Sequence, residues 1–177
     1  MTQPNIIGLC GALRAQSFNR KAMQSIIDAL PKDHRYEEVA LNWPLYDGDL
    51  EERSGVPAQV IEAAEKIAQA KAVIIGAPEY NKGITGVLKN ALDWLSRAPG
   101  RPFANKPTVV ISAAAGRTGG ETGGFMTKAC LIPLGALLVS TPPLLIAGAS
   151  DAFDGDTLTN ERYAKNVQEI ATILGDL

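Results

Sequence analysis

Two nearly unbroken apolar runs, Ala72-Val73-Ile74-Ile75-Gly76-Ala77 and Thr108-Val109-Val110-Ile111-Ser112, constrain this chain more than any other feature. Neither alternates apolar with polar residues, so neither reads as a half-exposed strand. A short run rich in Val and Ile is the pattern of a strand covered on both faces. Ile6, Ile7, Leu9 and Cys10 make a third run near the start. Between the runs, apolar residues recur at helical spacing. Ala22, Met23, Ile26, Ile27 and Leu30 form one stripe, and Val60, Ile61, Ala64, Ile67 and Ala68 a second. Ile84, Val87, Leu88, Ala91, Leu92 and Leu95 form a third, with Trp94 at its edge. Residues 36–41 read as another strand, 126–134 as a helix and 137–141 as a strand, and Tyr163, Val167, Ile170, Ala171 and Leu174 mark a last helix. Strands alternating with helices predict an α/β fold with a five-stranded parallel sheet and helices on both faces. No repeat, low-complexity tract or linker interrupts the order, so residues 1–177 are expected to form one domain.

Composition narrows the partners. A net charge of −2 lacks the basic excess of a nucleic-acid-binding face, and 6% aromatic residues leave little for base stacking. Cys10 and Cys130 lie in apolar patterns and make neither a CxxC nor a metal-ligand spacing, so they read as buried free thiols in a reducing compartment. No metal site is expected. Residues 1–5 carry no basic stretch before the apolar run, so no secretory signal is expected, and no run is long enough to span a membrane. A cytoplasmic protein is expected.

Function should gather at three loops. The turn Gly11-Ala12-Leu13-Arg14-Ala15-Gln16-Ser17-Phe18-Asn19 carries a strand into a helix. Helix N-terminal amides lack partners and sit at the positive end of the dipole, which suits an anion. Arg14 adds a guanidinium able to fork onto a phosphate, and Ser17 and Asn19 add short polar side chains. Read alone, the turn also admits Ser17 or Asn19 as a simple N-cap with Arg14 solvated. It is neither the G-x-G-x-x-G fingerprint nor a Walker loop. Residues 78–83 and 112–120 also follow strands, and the glycines of the latter let backbone approach a ligand. In a doubly wound sheet, ligands bind beyond the strands' carboxyl ends where strand order reverses. With order 2-1-3-4-5 the three loops converge, and a phosphate beside flat amide and apolar surface fits flavin mononucleotide (FMN) better than a bare anion.

Gly11-Ala12-Leu13-Arg14-x-x-Ser17-x-Asn19 and Pro78-Glu79-Tyr80-Asn81-x-Gly83-x-x-Gly86-x-Leu88-Lys89-Asn90-Ala91-Leu92-Asp93-Trp94 resemble the NAD(P)H-dependent FMN reductases. This is the flavodoxin-like group that includes bacterial quinone, chromate and azo-dye reductases. Pro44-Leu45-Tyr46-x-x-Asp49-Leu50 extends the likeness, which covers nearly the whole chain. The resemblance implies a flavodoxin-like three-layer sandwich. It implies that Leu13, Arg14, Gln16, Ser17 and Asn19 hold the FMN phosphate, and that Pro78, Glu79, Tyr80 and Asn81 line the ribityl chain and ring. Ser112 and Gly116 would close the ring from the third loop. Ala12 stands where the family usually has Ser, and Ala115 replaces a Pro before the glycine.

The implied chemistry takes hydride from NADPH or NADH to flavin N5 and passes two electrons to a quinone, chromate, azo compound, ferric complex or free flavin. One open face serving both substrates predicts ping-pong kinetics. Arg117 is weighed as a contact for the extra phosphate of NADPH, and as a solvated loop residue. Two rivals are a flavodoxin-type electron carrier without turnover and an enzyme using Glu79 as a nucleophile on a sugar. Asp93 is expected on a solvated helix face, and His34, the single histidine, on the surface. A homodimer or homotetramer is expected, with Trp94 and the loop around Trp43 to Tyr46 either at the interface or in the local core.

Overall fold

A computed structural model describes residues 5–177; residues 1–4, most of the stretch read for a secretory signal, lie outside the described residues. In chain order the elements are β1 (Ile6–Cys10), α1 (Phe18–Ala29), β2 (Tyr36–Val39), α2 (Gly48–Ser54), α3 (Ala58–Gln69), β3 (Ala72–Gly76), β4 (Glu79–Tyr80), β5 (Gly83–Ile84), α4 (Gly86–Arg97), β6 (Pro107–Ala113), α5 (Glu121–Leu131), β7 (Leu137–Leu138), β8 (Leu145–Ile146), α6 (Ala149–Ala152), β9 (Phe153–Asp154), β10 (Thr157–Leu158) and α7 (Glu161–Gly175). The main sheet is parallel in the order β2-β1-β3-β6-β7, with β8 also on β6. This is the flavodoxin-like arrangement.

The unbroken runs form strands covered on both faces because alternate residues feed two separate cores. Ile6, Ile74, Val109 and Ile111 pack against Met23 and Ile26 of α1 and Val167, Ile170 and Leu174 of α7. Ile7, Leu9, Val73 and Ile75 pack against Val60 and Ile67 of α3 and Leu88, Trp94 and Leu95 of α4.

The structure corrects several expectations. The fifth strand is broken: β7 pairs beside Pro107 and Thr108, and β8 beside Ser112 and Ala113. Pro142 and Pro143 lie between the two pieces and have no N–H to give the ladder. The second loop is a hairpin, β4 and β5 joined by Asn81 (φ 51°) and Lys82 (φ 63°), the two left-handed positions of a tight hairpin turn. Helix α5 starts at Glu121, ahead of the predicted 126, on a weak Thr122-Gly123-Gly124 stretch with no apolar stripe. Helix α2 and the β9–β10 hairpin lie in stretches where the apolar pattern marks no helix or strand.

Trp94 is not at an edge: it is fully buried and its Nε1 donates to the Pro44 carbonyl at 2.8 Å. Trp43 is buried as well, whereas Leu45 stands exposed. His34 is not a surface residue either. Its side chain is only 8% exposed, and neither ring nitrogen forms a hydrogen bond, although Asp33 Oδ1 lies 3.3 Å from Nδ1. It precedes β2, at the opposite end of the sheet from the three loops. Cys10 is buried, and burial pushes its thiol pKa up; Cys130 is only half-buried. Among the described residues no helix is long and apolar enough to cross a membrane, and no cluster of metal-ligating side chains occurs.

Candidate cofactor site

Strand register brings the loops together. Cys10 pairs with Gly76, and Gly76 with Ile111, so β1, β3 and β6 release their loops at one level of the sheet. Between them lies a cleft of about 200 Å³. Its walls are Ala12, Arg14, Ser17, Phe18 and Asn19 from the first loop, Pro78, Glu79 and Tyr80 from the second, and Ala113, Ala114 and Ala115 from the third.

Gly11 sets the fit of the first two loops: a Cβ there would lie 2.9 Å from Pro78 Cδ and 3.0 Å from Thr85 Oγ1. Thr85 donates its hydroxyl to the Gly11 carbonyl at 2.8 Å and accepts from the Leu88 amide at 3.3 Å, capping α4 while tying it to the first loop. Ser17 occupies the N-cap of α1, but its side chain makes no capping bond and lies 3.9 Å from the Cys10 sulfur. The Ala12 amide hydrogen-bonds to the Cys10 thiol, whereas the backbone amides from Leu13 to Ser17 make no hydrogen bond among the described residues. That is the donor array an anion needs.

Asn19 behaves differently. Its Nδ2 donates to the Ala113 carbonyl at 2.8 Å and its Oδ1 accepts from the Ala113 amide at 3.0 Å, so it clamps the first loop to the third. Glu79 turns away from the cleft. One carboxylate oxygen accepts from the Thr122 and Gly123 amides at 2.9 and 3.2 Å, and the other faces Lys82 Nζ at 3.0 Å. Lys82 first, then those amides, hold its pKa below the ordinary carboxylate value. Glu79 thus caps α5 from a distance, which explains how a glycine-bearing first turn stays helical. Both oxygens being engaged also argues against its attack on a sugar.

Ser112 is fully buried and donates to the Ala77 carbonyl at 2.7 Å. Gly120 sits over it with φ 81°, and a Cβ there would come within 2.1 Å of Ser112 Oγ. The close approach expected of the third loop's glycines is therefore an approach to the protein itself at Gly120, whereas Gly116 has open space around it. Leu13 lines an adjacent groove with Arg20 and Glu38, and Gln16, Asn81, Gly116 and Arg117 are exposed outside the cleft wall.

Residues 4–151 match the family described as NADPH-dependent FMN reductase. The chain belongs to that family. An NAD(P)H-dependent FMN reductase of Pseudomonas aeruginosa is 36% identical over 166 residues, covering 93% of this chain and 89% of that protein. A quinone reductase of Escherichia coli is 35% identical over 142 residues, covering 79% and 76%. Among solved structures, FerB, a flavoenzyme NAD(P)H:(acceptor) oxidoreductase from Paracoccus denitrificans, superposes with a TM-score of 0.84 at 28% identity, over 97% of this chain and 94% of that one. This FMN reductase family member is therefore an oxidoreductase using FMN and NAD(P)H.

The residues present fit that cofactor. The loop offers unpaired amides with Arg14 at the rim, the third loop contributes a floor of three alanines, and the one acidic wall residue has its charge engaged elsewhere. Sequence reasoning missed Phe18, which walls the cleft and stacks on Phe153 at 5.9 Å, and Thr85, whose place just before an apolar helical stripe marks an N-cap. It also missed Arg20, which no motif distinguishes from a solvated helix arginine.

Proposed function

We propose that this family member reduces small electron acceptors with NADPH or NADH by a ping-pong mechanism, with FMN seated across the three loops. The acceptors are a quinone, chromate, an azo compound, a ferric complex or free flavin. The observation that carries the reading is the run of unpaired amides from Leu13 to Ser17, across from two loops whose Glu79 and Ser112 are already engaged with the protein's own backbone. Bound FMN would supply a hydride acceptor that takes two electrons from the nicotinamide and yields them to the acceptor. Arg14, the loop amides, Leu13, Gln16 and Ser17 hold the phosphate, and Asn19 keeps their loop against β6. Pro78 to Asn81 offer backbone to the ribityl chain and ring, and Ser112 and Gly116 shape the third loop.

Tyr80 is 56% exposed at the mouth. An open mouth admits donor and acceptor one after the other, which is the physical basis for ping-pong kinetics. Among the described residues neither His34 nor Cys10 borders the cleft, so the protein's part is to bind and orient. The chain acts as one domain in a cytoplasmic homodimer or homotetramer, without nucleic acid. Sequence relatives named as FMN or quinone reductases favour an enzyme over a flavodoxin-type carrier.

The test is a visible spectrum of the purified protein before and after NADPH or NADH. A yellow protein bleached by either is expected; a yellow protein that neither bleaches would make it a carrier. Parallel double-reciprocal lines should follow with a quinone, and intersecting lines would remove the ping-pong mechanism. Arg117→Ala should raise the KM for NADPH more than that for NADH, and equal changes would remove Arg117 from donor selection.

A further inference from the structure

Arg20 lies within the first turn of α1, and its side chain turns back under the loop instead of out to water. Nη1 donates to the Arg14 carbonyl at 2.6 Å and to the Ala15 carbonyl at 3.2 Å, and Nη2 donates to the Ala12 carbonyl at 3.1 Å. Nε donates to Glu38 Oε1 at 2.7 Å, which anchors the guanidinium to edge strand β2. One planar group thus gathers the carbonyls of three of the four residues from Ala12 to Ala15.

Peptide geometry turns that into a statement about donors. In a trans peptide the C=O of one residue and the N–H of the next point in opposite directions. Drawing the Ala12, Arg14 and Ala15 carbonyls to Arg20 therefore commits the Leu13, Ala15 and Gln16 N–H groups to the side away from it. These N–H groups are among those with no partner among the described residues. A loop without this brace is free to flip a peptide and turn a carbonyl dipole toward an approaching anion.

We propose that Arg20 is a positioning residue that fixes the polarity of the first loop, aiming its amides outward as an anion cradle without touching the ligand itself. Glu38 offsets its charge and holds its plane, so the effect works through peptide orientation more than through net charge. Arg14, exposed at the rim, has the complementary part of direct contact. The inference rests on the reading that residues 11–17 take the FMN phosphate.

The test compares binding of FMN and riboflavin to the apoprotein by fluorescence quenching, since riboflavin carries the same ring and ribityl chain without the phosphate. Wild type should prefer FMN. Arg20→Ala should weaken FMN by roughly tenfold or more, the scale of a charge-assisted hydrogen bond lost. Riboflavin binding should hold within about twofold, since no contact to it is removed. Arg20→Lys should also lose the preference, because one ammonium cannot span the carbonyls of Ala12 and Ala15, and it serves where the alanine variant does not fold. Equal weakening of both ligands would overturn the proposal in favour of a general structural role, and an unchanged preference in Arg20→Ala would overturn it outright. Preference retained in Arg20→Lys would show that charge suffices and overturn positioning. A wild type with no preference for FMN would instead remove the phosphate reading beneath it.

Discussion

The first loop and the other two solve opposite problems. In residues 13–17 the backbone donors are left without partners among the described residues, and from this loop the arginine behind them takes only carbonyls. In residues 78–83 and 112–120 two polar side chains, Glu79 and Ser112, turn inward and satisfy the protein's own backbone. Glu79 serves the start of α5, and Ser112 serves the end of β3 through Ala77. Asn19 belongs to the first loop by sequence but behaves like the second group, bridging to Ala113. An anion needs donors held ready and unpaired, because pairing them would have to be undone on binding. A flat ring needs a stiff surface, and engaged side chains supply stiffness.

The sharpest way to break this contrast is Asn19→Leu. It keeps the side chain's size but strips two buried backbone groups of Ala113 of their partner, which should cost about 3 kcal/mol or more in urea unfolding. A loss under about 1 kcal/mol would show that the two loops are not held together here. Next comes Gly120→Ala against Gly116→Ala. The first forces a Cβ onto Ser112 Oγ at a positive φ and should cost roughly 2 kcal/mol. The second has open space and should stay within about 0.5 kcal/mol. Equal costs would mean that both glycines serve the same role.

Arg14→Ala tests the ligand-facing side: FMN affinity should fall about tenfold, near 1.4 kcal/mol, while thermal stability stays put. A stability loss with FMN affinity unchanged would move Arg14 to the other group. The smallest effect belongs to Glu79. Its pKa in the folded chain is depressed, so its stabilisation is present above the unfolded carboxylate value of about 4.3 and fades as pH falls through the lower folded value. Glu79→Gln should remove about 1 kcal/mol or less at neutral pH and flatten the acid limb of the melting temperature. An acid limb as steep as wild type's would mean that other carboxylates set it.

Much of the molecule was readable in advance. Runs such as Ala72 to Gly76 announced buried parallel strands because no half-exposed strand tolerates five buried residues in succession. The stripes of α1, α3, α4 and α7 were readable for the same reason of period. What could not be read depended on distant partners. The start of α5 rests on Glu79, 43 and 44 positions before Thr122 and Gly123, and only the fold delivers that carboxylate. The break in the fifth strand was hidden because Leu144, Leu145 and Ile146 follow the two prolines without a helical or alternating signature.

By itself, the sequence determined the alternation of buried strands with amphipathic helices and the three loops that follow strands, since burial patterns and the handedness of parallel connections leave few alternative layers. It also determined the family, through two local motifs. The order 2-1-3-4-5 that brings those loops together was an assumption until the tertiary structure supplied it. Only the tertiary structure decided which polar residues remain free to meet a ligand. Asn19, Glu79 and Ser112 are polar loop residues as Arg14 is, and what separates them from it is whether a backbone partner lies within about 3 Å once the chain is folded.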